Sequence, residues 1–416
     1  MIATPAAIDR FTAIAARFRA DAPASDYWSL RLVHEEIDRL AVRQGVPEPS
    51  SLESGDGAMV TVVSKGGVGY GATGDLSRAG LRAAAERARH WAAEHARLGL
   101  FDAGLYPRSE IRSEYRSPVR EPWEGLSVAA KLELLQRACA ALKIDEGIVD
   151  WSAWLGCRTI SQLVVTGDGG SAIEAITAVS SGLAAVANEG AQTQSRHGGG
   201  ADWGGQGGLE RLETVGFRED ATRVAEEALA LLNAPECPRG YRDLLLTPGQ
   251  MTLQIHESIG HPLELDRILG DERNYAGTSF VTPDMFGTYA YGSPLLNVTF
   301  DPSIDGELAS YGADDEGSAA QRAFLIRKGI LERPLGSRLS QARSGLQGVA
   351  NARASSWDRP PIDRMANINL EPGGSSMEEL IGRVERGVLM DTNRSWSIDD
   401  SRNKFQFGCE LGRLIE

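Results

Sequence analysis

Two of the six histidines in this 416-residue chain lie five positions apart, and a glutamate directly follows the first of them. The stretch from His256 to His261 reads HESIGH, which is one residue longer than the HExxH pattern of many zinc sites. In HExxH the histidines stand four residues apart, so both imidazoles reach one metal ion from the same helix face. A spacing of five places the two side chains about 140° apart on a straight α-helix. A regular helix therefore cannot bring both histidines to one metal ion.

The residues around the second histidine favour a local distortion of that helix. Gly260 and Pro262 bracket His261, and both residue types loosen a regular helix. A single-turn π-bulge would return the second imidazole towards the first. Upstream, Thr247 and Pro248 form a good helix start, because threonine caps the first turn and proline suits the first helical position. The sequence therefore permits the geometry that a shared metal ion needs.

A metal ion held by this motif would support hydrolysis. The metal would polarise a carbonyl group, while Glu257 would take the proton of the attacking water and pass it to a leaving amine. A catalytic zinc site usually has three protein ligands besides water, so the motif leaves one ligand unassigned. Candidates for that ligand lie downstream: Glu264, Asp266, the acidic turn Asp314–Glu316 and Cys409. Each also has an ordinary structural interpretation, the acids as helix-end or solvated-turn charges and the cysteine as a core residue.

The pattern of helices and strands predicts an α+β protein with three domains. Residues 1–107 carry an amphipathic helix, a hairpin and an alanine-rich helix, which together make an N-terminal α+β domain. Residues 108–236 make a central strand-rich domain, with His197 in a glycine-dense loop that we expect to be mobile. Residues 237–416 make a C-terminal domain with a mixed, barrel-like sheet around the histidine helix.

Within these domains the sequence predicts a set of helices and strands. Helices are predicted over residues 6–21, 76–96, 128–143, 219–232 and 376–386. Strands are predicted over residues 27–41, 59–64, 68–72, 148–156, 159–166, 171–180, 241–246 and 404–407, with the run at 241–246 buried.

Charge and composition exclude several classes of protein. The formal net charge of −14 at pH 7 opposes binding to nucleic acid or to an anionic membrane, because both need a basic surface. No stretch of about 18 apolar residues predicts a transmembrane helix, and the N-terminal segment is an amphipathic helix rather than a signal peptide. The four cysteines are scattered, which is typical of reduced thiols rather than a disulfide framework. We therefore expect a cytoplasmic protein with no nucleic-acid or membrane partner.

Several blocks of the sequence resemble the TldD/PmbA family of metallopeptidases. HESIGHPLELD at residues 256–266 is similar to the family signature HExxGHxLExD, and further blocks match at residues 277–287, 311–331 and 364–381. The segment from Met59 to its following helix resembles the family's N-terminal domain, so the resemblance covers most of the chain. TldD-type members carry HExxxH and are active, whereas their PmbA-type partners lack it. The chain is similar to the TldD-type branch.

The resemblance implies a zinc metallopeptidase that acts on small or unfolded peptides. Zinc would be held by His256 and His261, and Glu257 would be the catalytic acid and base. A second family subunit, or a second copy of this chain, would close a chamber around an extended peptide. Family members take their third zinc ligand from a cysteine beyond the segment that matches residues 414–416, and Cys409 precedes that segment. The resemblance therefore leaves the third ligand unassigned: either the sequence is a truncated form without the family's C-terminal tail, or the protein completes its metal site differently.

The sequence leaves functions of different classes open. The first is hydrolysis of peptides that bind in extended form along a strand. The second is a non-catalytic regulatory or assembly subunit of a TldD/PmbA-type complex, which the unassigned ligand would explain. A third and weaker interpretation treats the HExxxH stretch as a buried polar helix. Neither a Ser-His-Asp order nor a phosphate-binding glycine loop is present to suggest another chemistry.

Overall fold

The architecture is α+β, as the sequence predicts. A computed structural model describes residues 5–105 and 111–416, so the predicted domain limit at 107 and 108 lies outside the described residues. The helices are α1 (Pro5–Asp21), α2 (Arg78–Leu98), α3 (Val128–Leu142), α4 (Arg211–Thr214), α5 (Asp220–Leu232), α6 (Pro248–Ile255), α7 (Leu265–Leu269), α8 (Arg273–Ala276), α9 (Arg338–Ser344) and α10 (Met377–Ile381). No helix in the described ranges is long and apolar enough to span a membrane.

The strands fall into one large sheet and several small ones. Those of the large sheet are β1 (Tyr27–Arg43), β2 (Val46–Pro47), β3 (Ser51–Ser64), β4 (Gly67–Thr73), β5 (Arg112–Arg116), β6 (Ile148–Thr166), β7 (Ser171–Glu189), β8 (Gln192–Gly199) and β9 (Gly205–Gln206). Those of the smaller sheets are β10 (Asp243–Leu246), β11 (Val298–Phe300), β12 (Ala323–Arg327), β13 (Ile330–Leu331), β14 (Ala352–Arg353), β15 (Ile362–Asp363), β16 (Ile368–Leu370), β17 (Gly387–Ile398) and β18 (Phe405–Ile415).

The large sheet crosses the limit predicted between the first two domains. Its strands run in the order β4-β3-β1-β6-β7-β5, and β1 pairs antiparallel with β6 from Ser29 opposite Thr166 to Arg43 opposite Ser152. The sequence predicts two strands, at residues 148–156 and 159–166, but the structure has the single strand β6 there. The strand is continuous because the residues between the two predicted strands form no turn that would end the pairing with β1. The limits of the three domains stay a prediction.

Helices cover one face of this sheet because the strand residues alternate between its faces. On β1 the even-numbered residues Leu30, Leu32, Leu40 and Val42 are buried in two apolar clusters, one beneath α1 and α2 and the other beneath α3 and α5. The odd-numbered residues of β1 face the opposite side, which the C-terminal half partly covers. The fold therefore has one helical layer and one cleft-bearing side.

Helix α2 lies unusually close to the edge strand β4. A Cβ atom on Gly67, Gly69 or Gly71 would lie 2.0 to 2.1 Å from a carbonyl oxygen of α2, which is far inside van der Waals contact. The facing helix positions are alanines, including the fully buried Ala84, Ala88 and Ala92. Glycines on alternate strand positions opposite a row of alanines therefore set the distance between the helix and the sheet.

Replacing Gly69 by alanine is expected to destabilise the protein by about 1–3 kcal/mol, because the new methyl group must push the α2 backbone away. Thermal unfolding followed by circular dichroism measures the change as a lower Tm. The matched control is Gly374→Ala, since a Cβ atom there meets open space and the backbone is not left-handed. Equal Tm values for the two variants would show that the close contact is not rigid.

The C-terminal half contains small open sheets rather than the barrel-like sheet predicted. Their strand orders are β10-β17-β18, β13-β12-β11-β16 and β14-β15, and no closed barrel forms among the described residues. The core of this half gathers Ile259, Leu263, Phe300 and Leu335 around the histidine segment. The metal motif is thus built into the centre of the domain.

Three local predictions are wrong. The strand predicted at 241–246 is not buried: β10 is an edge strand, with Leu244 57% exposed. His197 lies on β8 and not in a mobile loop, because residues 192–199 pair with β7. The helix predicted over 376–386 ends at Ile381, directly before Gly382, since glycine favours helix ends.

Candidate metal centre

The histidine helix begins and distorts at the predicted positions. Helix α6 starts at Pro248 after the N-cap residue Thr247 and passes directly into a π-helical turn, His256–Gly260. In this turn the His261 N–H donates to the carbonyl of His256, five residues back, where an α-helix would use the fourth. The predicted π-bulge is confirmed, and it accommodates the extra residue of HExxxH.

Neighbouring residues hold the π-helical turn in place. The Tyr291 hydroxyl donates a 2.5 Å hydrogen bond to the carbonyl of Ser258, and so provides a partner for a backbone group inside the turn. Gly260 packs against Met365 so closely that a Cβ atom would lie 1.8 Å from the methionine sulfur. Pro262 follows in a short 3₁₀ turn and has no N–H to continue the regular helix. Glycine and proline therefore have distinct structural roles here.

The turn brings both histidines and the glutamate to one point. One ligand-capable atom from each of His256, Glu257 and His261 lies within 4.8 Å of those of the other two. The two imidazole ring centroids are 4.4 Å apart, and the rings are inclined at 82°. Glu257 and His261 are buried, and His256 is half-buried. A single ion could therefore reach all three side chains.

Glu264 fixes the orientation of the second imidazole. Its Oε2 atom lies 2.8 Å from Nδ1 of His261 and accepts a 2.5 Å hydrogen bond from Nε of Arg267. Burial raises the pKa of the Glu264 carboxyl, an effect that Arg267 and Arg364 oppose through their positive charge. Because Nδ1 faces this acceptor, it carries the ring proton and leaves Nε2 free to bind a metal ion. Glu264, one of the candidate ligands, thus lies behind the histidine ring.

Both imidazoles are held in the form that binds metals. Burial, followed by the proximity of His261, lowers the pKa of His256 to about 4. Burial and the positive charges of Arg267 and Arg364 lower the pKa of His261 to about 2. Both rings are therefore neutral at pH 7, and a neutral imidazole is the form that coordinates a metal ion. The donor set fits a metal such as zinc.

Replacing Glu264 by glutamine is expected to weaken zinc binding about 10- to 100-fold, because the neutral amide orients the His261 ring less firmly and makes it less basic. Competition with a chromophoric chelator measures the affinity. Glu332→Gln, at an exposed glutamate outside this centre, serves as the control. Unchanged zinc affinity in Glu264→Gln would contradict the orienting role.

The other candidate ligands lie apart from this group in the described part of the chain. Asp266 accepts the backbone N–H of Asp363 at 3.1 Å, so it joins two segments of the domain. The turn Asp314–Glu316 is not a solvated turn, contrary to the structural interpretation of its sequence. Asp314 and Glu316 are buried, and the Asp314 carboxylate accepts hydrogen bonds from three backbone N–H groups. Cys409 lies on β18, and burial raises the pKa of its thiol.

Sequence reasoning missed Arg402, which reaches the centre from far along the chain. Its guanidinium forms an ion pair with the Glu257 carboxylate, although the two residues are 145 positions apart. It lies in the turn between β17 and β18, within a polar stretch that carries no motif. A pairing of this kind depends on the tertiary fold, so nothing local in the sequence could indicate it.

A cavity of about 900 Å³ lies between the large sheet and the C-terminal half, but its lining does not include His256, His261 or Glu257. Its walls include Arg31, Trp154, Gln162, Asp315 and Trp357. Two of the polar side chains there pair with Asp315, whose carboxylate accepts from Arg31 at 3.1 Å and from Gln162 at 2.7 Å. Among the described residues, the group of side chains that could hold a metal ion is His256, Glu257 and His261, and it lies outside the lining of this cavity.

Comparison with known proteins places the chain in a family. Family models match as PmbA/TldA metallopeptidase domain 1 at residues 28–92, the central domain at residues 121–232 and the C-terminal domain at residues 239–416. A metalloprotease from Methanothermobacter thermautotrophicus is 30% identical over 391 residues, which cover 91% of this chain and 81% of the relative. The chain belongs to the PmbA/TldD metallopeptidase family. The resemblance seen in the sequence blocks is therefore confirmed.

Further PmbA/TldD relatives agree in sequence and in fold. The metalloprotease TldD homolog of Haemophilus influenzae is 24% identical over 400 residues, covering 94% of this chain and 80% of that protein. The structure of TldE from Thermococcus kodakarensis has a TM-score of 0.72 at 15% identity. The match covers 99% of this chain and 88% of the TldE chain. The structure of a proposed DNA gyrase modulator from Thermotoga maritima has a TM-score of 0.78 at 18% identity. The match covers 98% of this chain and 88% of that protein. At these identities the two structures establish the fold.

Proposed function

We propose that this chain is a zinc-dependent peptidase that hydrolyses small or unfolded peptides. The observation that carries the proposal is the convergence of His256, Glu257 and His261 within 4.8 Å on a π-helical turn. The names of the relatives support a metalloprotease at the level of the family. Two neutral imidazoles beside a carboxylate are the groups that metal-assisted hydrolysis requires.

The two histidines would hold the zinc ion, His261 through the Nε2 atom that its bond to Glu264 leaves free. Bound zinc supplies a Lewis acid that polarises the scissile carbonyl and makes water easier to deprotonate. The buried surroundings keep both rings neutral, so no proton must leave them before metal binding at pH 7. The histidines thus account for two of the three protein ligands usual in a catalytic zinc site.

Glu257 would move the proton in the reaction. As the oxygen of the attacking water bonds to the carbonyl carbon, Glu257 takes a proton from the water and the π electrons move to the carbonyl oxygen. When the C–N bond breaks, Glu257 returns that proton to the amine nitrogen. One water molecule is consumed, and no oxidant or reductant is needed.

We propose a second subunit of the PmbA/TldD family, or a second copy of this chain, as the partner that encloses the peptide. The TldE structure with the same fold supports the first choice. All four cysteines are free thiols, which supports a reducing compartment such as the cytoplasm. The substrate would be an extended peptide, since open sheet edges bind such segments by main-chain hydrogen bonds.

Metal removal tests the proposed function. The purified chain is stripped with a chelator, reloaded with zinc and assayed on a panel of short unstructured peptides and on one folded protein. We expect zinc to bind near one equivalent and to restore cleavage of the peptides but not of the folded protein. Failure to bind zinc, or cleavage that persists after stripping, would contradict the proposal. Absence of both zinc and cleavage would favour the non-catalytic subunit.

A further inference from the structure

The turn between β17 and β18 has a strained backbone that several hydrogen bonds hold in place. Arg402 has a φ of 65°, in the left-handed region that residues other than glycine rarely adopt. Its N–H donates to the carbonyl of Asp399 at 2.9 Å, and the Asp399 carboxylate accepts the N–H groups of Asn403 and Lys404 at 2.8 and 2.7 Å. Unusual backbone conformations that the surroundings enforce are frequent at functional sites. The turn therefore presents the Arg402 side chain in one direction.

This turn is docked on the segment that follows α8. The N–H of Thr278 donates to the carbonyl of Asp400 at 2.8 Å. Gly277 has a φ of 80°, and a Cβ atom there would lie 2.6 Å from the same carbonyl oxygen. A glycine at position 277 is therefore required for the turn to reach the metal centre.

The other end of the same hairpin is tied to the large sheet. Arg196 on β8 is 1% exposed, and its guanidinium pairs with Glu227, Asp391 and Glu410. Asp391 lies on β17 and Glu410 on β18, so the buried arginine holds both strands of the hairpin. The hairpin is anchored at its base by Arg196 and at its tip by the contacts of the turn.

The Arg402 guanidinium spans the general base and a backbone carbonyl. One terminal nitrogen, Nη1, donates to Oε2 of Glu257, and the other, Nη2, donates to the carbonyl of Ala276 at 2.9 Å. The side chains of Arg402 and Glu257 are 12% and 10% exposed, so water screens the pair little. The hydrogen bond to Ala276 fixes the plane of the guanidinium group. The hydrogen bond to Glu257 therefore holds the carboxylate in one orientation.

We propose that Arg402 is a positioning residue that holds Oε2 of Glu257, so that Oε1 faces the attacking water. The inference rests on the proposed peptidase function. Proton transfer requires one carboxylate oxygen within hydrogen-bond reach of the water, and a carboxylate that is free to rotate spends less time in that geometry. Arg402 acts through Glu257 and not on the peptide, so its loss changes the chemical step and leaves substrate binding unchanged.

Three variants test this role kinetically. Arg402→Ala is expected to lower kcat about 100-fold with KM unchanged, and Arg402→Lys about 10-fold, because lysine keeps the charge without the planar fork. The matched control is Lys404→Ala, which removes an exposed cation from the same turn and is expected to leave kcat within about twofold. Added guanidinium ion is expected to restore part of the activity of Arg402→Ala but not of Arg402→Lys. Zinc affinity is expected to stay within about threefold, because the hydrogen bonds of the Arg402 guanidinium go to Glu257 and Ala276 and not to the zinc-binding imidazoles.

A double-mutant cycle tests the same pair without any assay of activity. Glu257→Ala, Arg402→Ala and the double variant are unfolded thermally in the metal-free state. The two Tm shifts are expected to be non-additive by about 2 °C or more, since each single change leaves a buried charge without its partner.

Additive shifts would overturn the inference whether or not the chain cleaves peptides. Non-additive shifts with full kcat in Arg402→Ala would also overturn it. An inactive wild-type chain would contradict the proposed function, while the cycle would still decide whether Arg402 holds Glu257.

Discussion

Glu257→Gln is expected to lower kcat for peptide cleavage by about 10²- to 10⁴-fold, the range usual for loss of a general base. The amide cannot accept the proton of the attacking water, but its oxygen can still accept the hydrogen bond from Arg402. We expect this near-isosteric substitution to leave the fold and the two imidazoles unchanged. Zinc content is therefore expected to stay near that of the wild type. Steady-state kinetics on an unstructured peptide, with zinc measured on the same sample, check both expectations.

The control for this variant is Glu86→Gln, an exposed glutamate on α2. It is expected to leave kcat unchanged. Wild-type rates in Glu257→Gln would show that another group moves the proton. Loss of zinc along with activity would show that Glu257 serves as a ligand rather than as the base.

His261→Ala is expected to weaken zinc binding by more than about 100-fold, which exceeds the usual effect of changing a residue behind a ligand. The substitution removes one of two imidazoles and leaves the fully buried Glu264 without its histidine partner. Cleavage is expected to fall in parallel, because a site that has lost one of its two imidazoles holds the ion weakly. Metal titration and the peptide assay measure the two effects on one preparation.

His90→Ala provides the matched control, since His90 is exposed on α2 and alanine suits a helix. Its zinc affinity and activity are expected to equal those of the wild type. Tight zinc binding in His261→Ala would contradict the assignment of this residue as a ligand. A similar loss in both histidine variants would indicate a general effect on folding.

The metal centre was predictable where its cause is local in the sequence. Gly260 and Pro262 around His261 indicate a distorted helix, and the structure shows a π-helical turn at that place. The start of the helix at Thr247 and Pro248 is equally local, because capping depends on adjacent residues. Short-range steric rules therefore sufficed for the backbone of the motif.

The surroundings of the centre were not predictable, because they depend on contacts between distant segments. Arg402 reaches Glu257 only after β17 and β18 have paired and their turn has docked beside Gly277. Glu264 follows the motif closely, yet the sequence could not distinguish a ligand from a residue that orients His261. The direction of a side chain decides that difference, and spacing along the chain does not.

Burial was misjudged for the same reason. The apolar run that contains Leu244 suggests a buried strand, but it lies at the edge of a small sheet. The acidic turn Asp314–Glu316 suggests a solvated loop, but backbone N–H groups enclose its carboxylates. In both cases the neighbouring element decides the exposure. Local hydrophobicity carries no information about that neighbour.

A crystal structure of the zinc-loaded chain, with the metal located by its anomalous scattering, would show whether the π-helical turn holds the ion. We expect one zinc ion about 2.0–2.1 Å from Nε2 of His261 and from a ring nitrogen of His256, with Glu257 outside the inner coordination sphere. The same map identifies the third protein ligand. Zinc bound elsewhere, or a centre in which only one of these histidines contacts the ion, would contradict the claim that the π-helical turn builds the catalytic site.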